Sequence, residues 1–181
     1  MFDRPSVTNI NSGDGNQLNA ERDIVINEVP EPKGSAIQNL LMNILNIEKR
    51  EDASLSNEDY QTYSIEKKIS YNEISIYDKY YDEFKDGYTV VETRLRDLEM
   101  NGFADVRQLI INYVCKKYRL LSCQNISPDA LIFSLDTEIS NELRSVYTGK
   151  LSIDEINHVD YVIFHVFAKC KIFDKPPINF E

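Results

Sequence analysis

Asp154, His158, Tyr161 and His165 are the residues whose types could do chemistry together. Imidazole titrates nearest neutrality, so it is the usual general acid, general base or metal ligand. His158 and His165 are seven positions apart in a stretch that reads as one helix over residues 152–172. Seven positions turn a helix by about 700° and advance it by about 10 Å. Both rings therefore share a side but are too far apart to share one metal ion. That side faces away from the apolar stripe, which predicts a polar surface with Asp154 one turn before His158. An enzyme would have to gather the four residues around a pocket.

The other reactive groups suggest less. Cys115 and Cys170 fall on or beside apolar stripes, where cysteine acts as a small buried hydrophobe. Cys123 falls in a loop with nothing nearby to activate it. Three cysteines form neither a disulfide framework nor a zinc pattern, which fits a reducing compartment. Gly13-Asp14-Gly15-Asn16 lacks the Lys-Ser/Thr of a phosphate loop, the third glycine of a dinucleotide fingerprint and the later oxygens of a calcium loop. It reads as a turn. Neither a catalytic residue nor a cofactor or metal is expected.

Helices must position these residues. Ser152 and Glu155 have capping-box spacing, and Ile156, Val159, Ile163, Val166, Phe167 and Cys170 follow at helical spacing. This helix is expected at the centre of the core, with Ile163 inside and His165 on the opposite face. Ser127-Pro128 opens the preceding helix, and Tyr147-Thr148-Gly149 closes it. Another helix begins near Phe103 and carries Val106, Ile110, Tyr113 and Val114. Before it, Ile65, Ile69, Ile76, Tyr80 and Phe84 predict a long helix with Asn72 on its apolar seam. Asp86-Gly87 could interrupt that helix, and Asn101-Gly102 should stop it. The expected fold is mainly α, an antiparallel helical bundle with a short N-terminal β segment.

Three parts are expected. Residues 1–33 hold the β segment, residues 34–59 a short helix and linker, and residues 60–181 the helical bundle domain. Val7 and Ile10, then Ile24 and Ile26, alternate around the glycine turn as short strands do. A lone hairpin is marginal in water, and its edges carry unpaired backbone groups. This predicts a homo-oligomer formed through Ile10, Leu18, Ile24 and Ile26. The Ile37, Leu41 and Ile44 stripe would extend the interface.

Thirty acidic against twenty basic residues give a net charge of −10, which disfavours direct nucleic-acid binding. No apolar run is long enough to span a bilayer, and the N-terminus lacks an apolar signal core. A cytoplasmic protein is expected.

Two stretches resemble a known family. Lys68-Ile69-Ser70-Tyr71-Asn72 gives a KIxYN pattern, and VDYVIFHVFAKCKIFDKPP ends in aromatic-Cys-Lys-Ile-Phe-x-x-Pro from Phe167 to Pro176. Together they look like the C-terminal domains of bacterial ABC-three-component systems, the Lamassu-like antiphage group. The resemblance covers roughly residues 60–177. SGDGNQLNAERDI also resembles GDGN…GRDI segments near effector-associated modules of bacterial conflict proteins, with Glu21 in place of the usual glycine. The resemblance implies a role beside an SMC-like ABC ATPase and effector subunits, with no transferable catalytic residue. Residues 1–59 are too few for a nuclease or protease domain, so the expectation is a non-enzymatic interaction subunit. The competing expectations are a small enzyme around Asp154, His158, Tyr161 and His165, or an acidic antitoxin or DNA mimic binding a basic partner.

Overall fold

The computed structural model describes residues 33–48, 64–177 and 179–180. Among the described residues, eight helices follow in order: α1 (Lys33–Glu48), α2 (Ile65–Tyr71), α3 (Ser75–Lys79), α4 (Tyr81–Met100), α5 (Val106–Ser122), α6 (Pro128–Val146), α7 (Ile153–Ile156) and α8 (Val159–Ala168). The described residues contain no strand. No described helix is long and apolar enough to cross a membrane. The expected β segment, with Ile10, Leu18, Ile24 and Ile26, lies outside the described residues.

Local chemistry sets the helix starts. Ser64 Oγ accepts from Lys67 N at 3.1 Å, and Ser127 Oγ accepts from Ala130 N at 3.3 Å. Ser152 and Glu155 form the reciprocal capping box, with bonds of 3.1 and 2.9 Å. Three helix ends share one device: a left-handed residue lets the chain bond back onto the last turn. Gly102 at φ 95° ends α4, as its sequence suggests. Glu73 at φ 53° ends α2 and Cys170 at φ 56° ends α8, where side chains must tolerate a conformation suited to glycine.

Those ends divide two stretches that periodicity alone joins. The helix expected to run from Ile65 past Phe84 is three pieces. Ile69 and Phe84 are buried, while Ile76 and Tyr80 are exposed. Asp129 Oδ1 accepts from Ile76 N at 3.0 Å at the start of α3. The helix expected over residues 152–172 stops at Asn157 and restarts at Val159. Gly87, the anticipated interruption, lies inside α4. A Cβ there would meet the Tyr161 ring, so the glycine permits close approach of α8.

α8 is buried on every side, including Tyr161, Val162, Ile163, Phe164, His165, Val166 and Phe167. Tyr77 of α3 anchors the aromatic part of the core, with ring centroids 4.7 Å from Phe84, 4.8 Å from Phe164 and 5.2 Å from Phe167. α1 packs against α4, α5 and α7 and is a full member of the bundle. Ile37, Leu41 and Ile44 are fully buried. Their stripe is occupied within the chain, which corrects its assignment to an interface between copies. It also moves the start of the bundle ahead of residue 60.

Side-chain pairs give the helix directions. Tyr113 bonds Glu142 and Lys117 pairs with Glu138, so α5 and α6 run antiparallel. On α4 and α8, Glu83 pairs with Tyr161, Tyr88 with His165 and Glu92 with Lys169. These numbers rise together, so α4 and α8 run parallel. The connection through α7 gives the chain room to return in that sense, and the bundle is not uniformly up-and-down.

Candidate functional site

Asp154, His158, Tyr161 and His165 do not converge. The Tyr161 hydroxyl donates to Glu83 Oε1 at 3.0 Å, and its ring stacks on His158 at 5.2 Å. Lys33 Nζ lies 4.3 Å from the same ring, while burial and the bond to Glu83 push the Tyr161 pKa up, away from a tyrosinate. Burial and the nearby Lys33 push the His158 pKa down. Asp154 stands in the first turn of α7.

His165 is fully buried, which corrects its expected place on a polar outer face. Its Nε2 is 2.9 Å from Glu92 Oε2 and its ring stacks on Tyr88 at 5.3 Å. Arg107 reaches Glu92 at 2.8 Å and Glu99 at 3.1 Å, and Lys169 reaches Glu92 at 3.3 Å. The hydrogen bond from His165 and the Arg107 contact hold Glu92 well below the usual carboxylate range. Burial lowers the His165 pKa. The consistent state is a neutral imidazole donating from Nε2 to an ionised Glu92. Two carboxylates against Arg107 and Lys169 then leave the network balanced, as a buried ionic cluster requires. It joins α4, α5 and α8.

The two motif stretches meet in a clasp. Lys68 is almost fully buried, and its ammonium donates to Phe167 O at 2.7 Å and Ile172 O at 2.6 Å. It also lies 4.2 Å from the Phe167 ring. Burial lowers its pKa to about 8. Asn72 Nδ2 donates to Lys68 O and Asp174 O, both at 2.9 Å, and its Oδ1 accepts from Asp174 N at 3.1 Å. Asn72 therefore caps α2 and grips an extended strip of chain. Tyr71 packs edge-on to Phe180 at 5.1 Å, and Lys67 donates to Phe180 O at 2.9 Å. Lys68 and Asn72 of KIxYN thus satisfy backbone groups, and Tyr71 supplies a ring contact.

A further concave feature lies elsewhere. A cleft of about 420 Å³ lies between α6 and the α7–α8 turn, lined by Asp136, Thr137, Ser140, Asn141, Arg144, Ile156, Asn157 and Asp160. Burial pushes the Asp160 pKa up to about 7, with the neighbouring Asp136 and Glu83 adding to it. Burial also raises Asp136. Sequence reading missed both carboxylates. The available signal was Asp160 itself, an acid inside the otherwise apolar run VDYVIFHVF. Among the described residues, no group of His, Cys, Asp and Glu is arranged to hold a metal ion.

Comparison with protein-family models, curated proteins and solved structures finds no match.

Proposed function

We propose that this chain is a non-enzymatic interaction and assembly subunit of a bacterial antiphage defence complex, docking to an SMC-like ABC ATPase and sister subunits. The observation that supports this reading is the clasp. The two stretches that carry the resemblance, with Lys68 and Phe167 99 positions apart, close on each other through buried bonds. They act as one structural unit, as expected if they define one docking domain. Elsewhere on the surface, Ile76, Tyr80 and Phe133 are 38%, 45% and 72% exposed. Asp129 caps Ile76, and Phe133 lies one turn beyond Asp129, so these apolar groups neighbour one another. Such a patch suits a partner surface.

Co-purification from the native operon tests the reading. A large ATPase should accompany the chain, and Phe133→Asp should weaken its recovery without changing the melting temperature. Recovery of the isolated polypeptide alone, with or without nucleotide, would overturn the proposal. The N-terminal segment is proposed to make the chain a homo-oligomer. Removing residues 1–32, which keeps α1 whole, should lower the number of copies per particle, taken as the light-scattering mass divided by the mass of each chain. An equal copy number for both chains would refute that part.

A further inference from the structure

We infer that the His165 network is an acid-sensitive latch: a proton taken up by the ring frees the C-terminal end of α8, and the turn after it, from α4 and α5. This goes beyond the docking role and does not depend on it. The ring is fully buried, and Tyr88 of α4 stacks on it. Its Nε2 lies 2.9 Å from Glu92 Oε2, and the same oxygen takes Arg107 at 2.8 Å and Lys169 at 3.3 Å. Its Nδ1 is buried with no hydrogen-bond partner among the described residues.

A neutral imidazole suits this setting and an imidazolium does not. With Nε2 donating to Glu92, the neutral ring keeps a lone pair on Nδ1. Protonation puts a hydrogen there and creates a charged donor with no acceptor, in a site closed to water. It also upsets the balance of charge. His165, Arg107 and Lys169 would oppose Glu92 and Glu99, three cations against two carboxylates. Burial outweighs the pull of Glu92, whose charge Arg107 and Lys169 already share, and holds the ring's pKa down. Relief requires the ring to reach water. The nearest chain that can yield is the end of α8, where the amides of Lys169, Cys170 and Lys171 bond back to His165 O, Phe167 O and Val166 O. Cys170 stands there at φ 56°, so this end already carries strain.

The charged and titratable groups that face His165 are Tyr88 and Glu92 on α4, Arg107 on α5 and Lys169 beyond α8, with Glu99 reached through Arg107. Once exposed, the ring regains the ordinary imidazole pKa of about 6.5, whereas closed it stays below that. The open form therefore binds the extra proton. Closure is fully favoured above about pH 6.5 and weakens as pH falls below it. With the closed ring neutral throughout, the opening constant should rise roughly tenfold from about pH 7.5 to about pH 5.5. Asp160, in the first turn of α8, faces Asp136 on α6 and titrates the other way, because its pKa is raised to about 7 in the closed chain. Asp160→Asn removes that opposing titration. His158 titrates in the same sense as His165, since burial lowers it too.

Two NMR measurements on the full chain test this. Ring nitrogen shifts report the state of His165 directly, and the folded chain should show a neutral ring protonated at Nε2 down to about pH 5.5. Amide exchange, corrected for intrinsic rates, gives the opening constant at Lys169, Cys170 and Lys171. In Asp160→Asn that constant should rise roughly tenfold from about pH 7.5 to about pH 5.5. In Asp160→Asn/His165→Gln the new amide can still donate to Glu92 but takes up no proton, and the rise should be lost. His158 is unchanged in both variants, so the difference between them belongs to His165. The ring shifts and the single variant stand by themselves if the double variant fails to fold. An imidazolium in the folded chain above about pH 6, a level opening constant in Asp160→Asn, or an equal rise in both variants would overturn the inference.

Discussion

Replacing Gly87 with alanine sets helix propensity against packing. Gly87 lies inside α4, where alanine is favoured over glycine by about 1 kcal/mol. Here a Cβ would lie no further than 2.9 Å from Cγ, Cδ1 and Cε1 of Tyr161. Carbon contacts are comfortable near 3.5–4.0 Å, so the ring must retreat by about 1 Å. It has little room. His158 stacks on it, Phe84 packs edge-on at 6.1 Å, and its hydroxyl is held by Glu83 at 3.0 Å. Overpacking of this kind costs about 1–3 kcal/mol, and a disturbed bond to a carboxylate adds roughly 1.5 kcal/mol or more. Gly87→Ala should therefore destabilise the chain by about 1.5–3.5 kcal/mol net. That corresponds to a fall of about 3–10 °C in melting temperature for a chain of this size. Urea unfolding followed by circular dichroism gives the free energy directly. In a Tyr161→Ala background the clash is gone, and the same substitution should become neutral or stabilising. Wild-type stability or better for the single variant would refute the argument, because propensity would then outweigh the contact.

Three further outcomes follow from the buried polar groups. His165→Ala should cost on the order of 2–4 kcal/mol in chemical denaturation, because it opens a cavity and removes a partner of Glu92. A surface-like cost below about 0.5 kcal/mol would place the ring outside. Asp160 is raised to about 7, so the native state binds more protons than the unfolded state from about pH 4 to pH 7, and stability falls as pH rises through that window. Asp160→Asn should stabilise the chain by on the order of 2 kcal/mol at pH 8, a gain that vanishes near pH 4 in thermal melts. A gain independent of pH would count against a titrating Asp160. Lys68→Met should cost about 2–4 kcal/mol by leaving two buried carbonyls without their donor. Hydrogen exchange should show the strip from Lys171 to Asp174 losing protection while α5 and α6 keep theirs. Uniform protection loss would mean that the clasp does not act locally.

The sequence by itself determined the features that depend on a few neighbouring residues. Ser127-Pro128, Ser152 with Glu155 and Asn101-Gly102 marked helix ends because capping chemistry is complete within four or five residues. The apolar stripes of α5, α6 and α8 were legible because burial imposes helical spacing on apolar side chains. The tertiary structure alone decided what those faces meet. Glu73 and Cys170 end helices in conformations that neither residue type announces. Gly87 reads as a breaker until the Tyr161 ring is placed beside it. His165 looks polar in sequence, and only Glu92 and its ion network, brought in from α4 and α5, make its burial affordable. Asp136 and Asp160 are 24 positions apart by number, and their cleft exists because α8 packs on α6. Lys68 and Asn72 were visible as a pattern. Their purpose depends on distant backbone carbonyls, which have the same chemistry at every residue and leave no mark on the sequence.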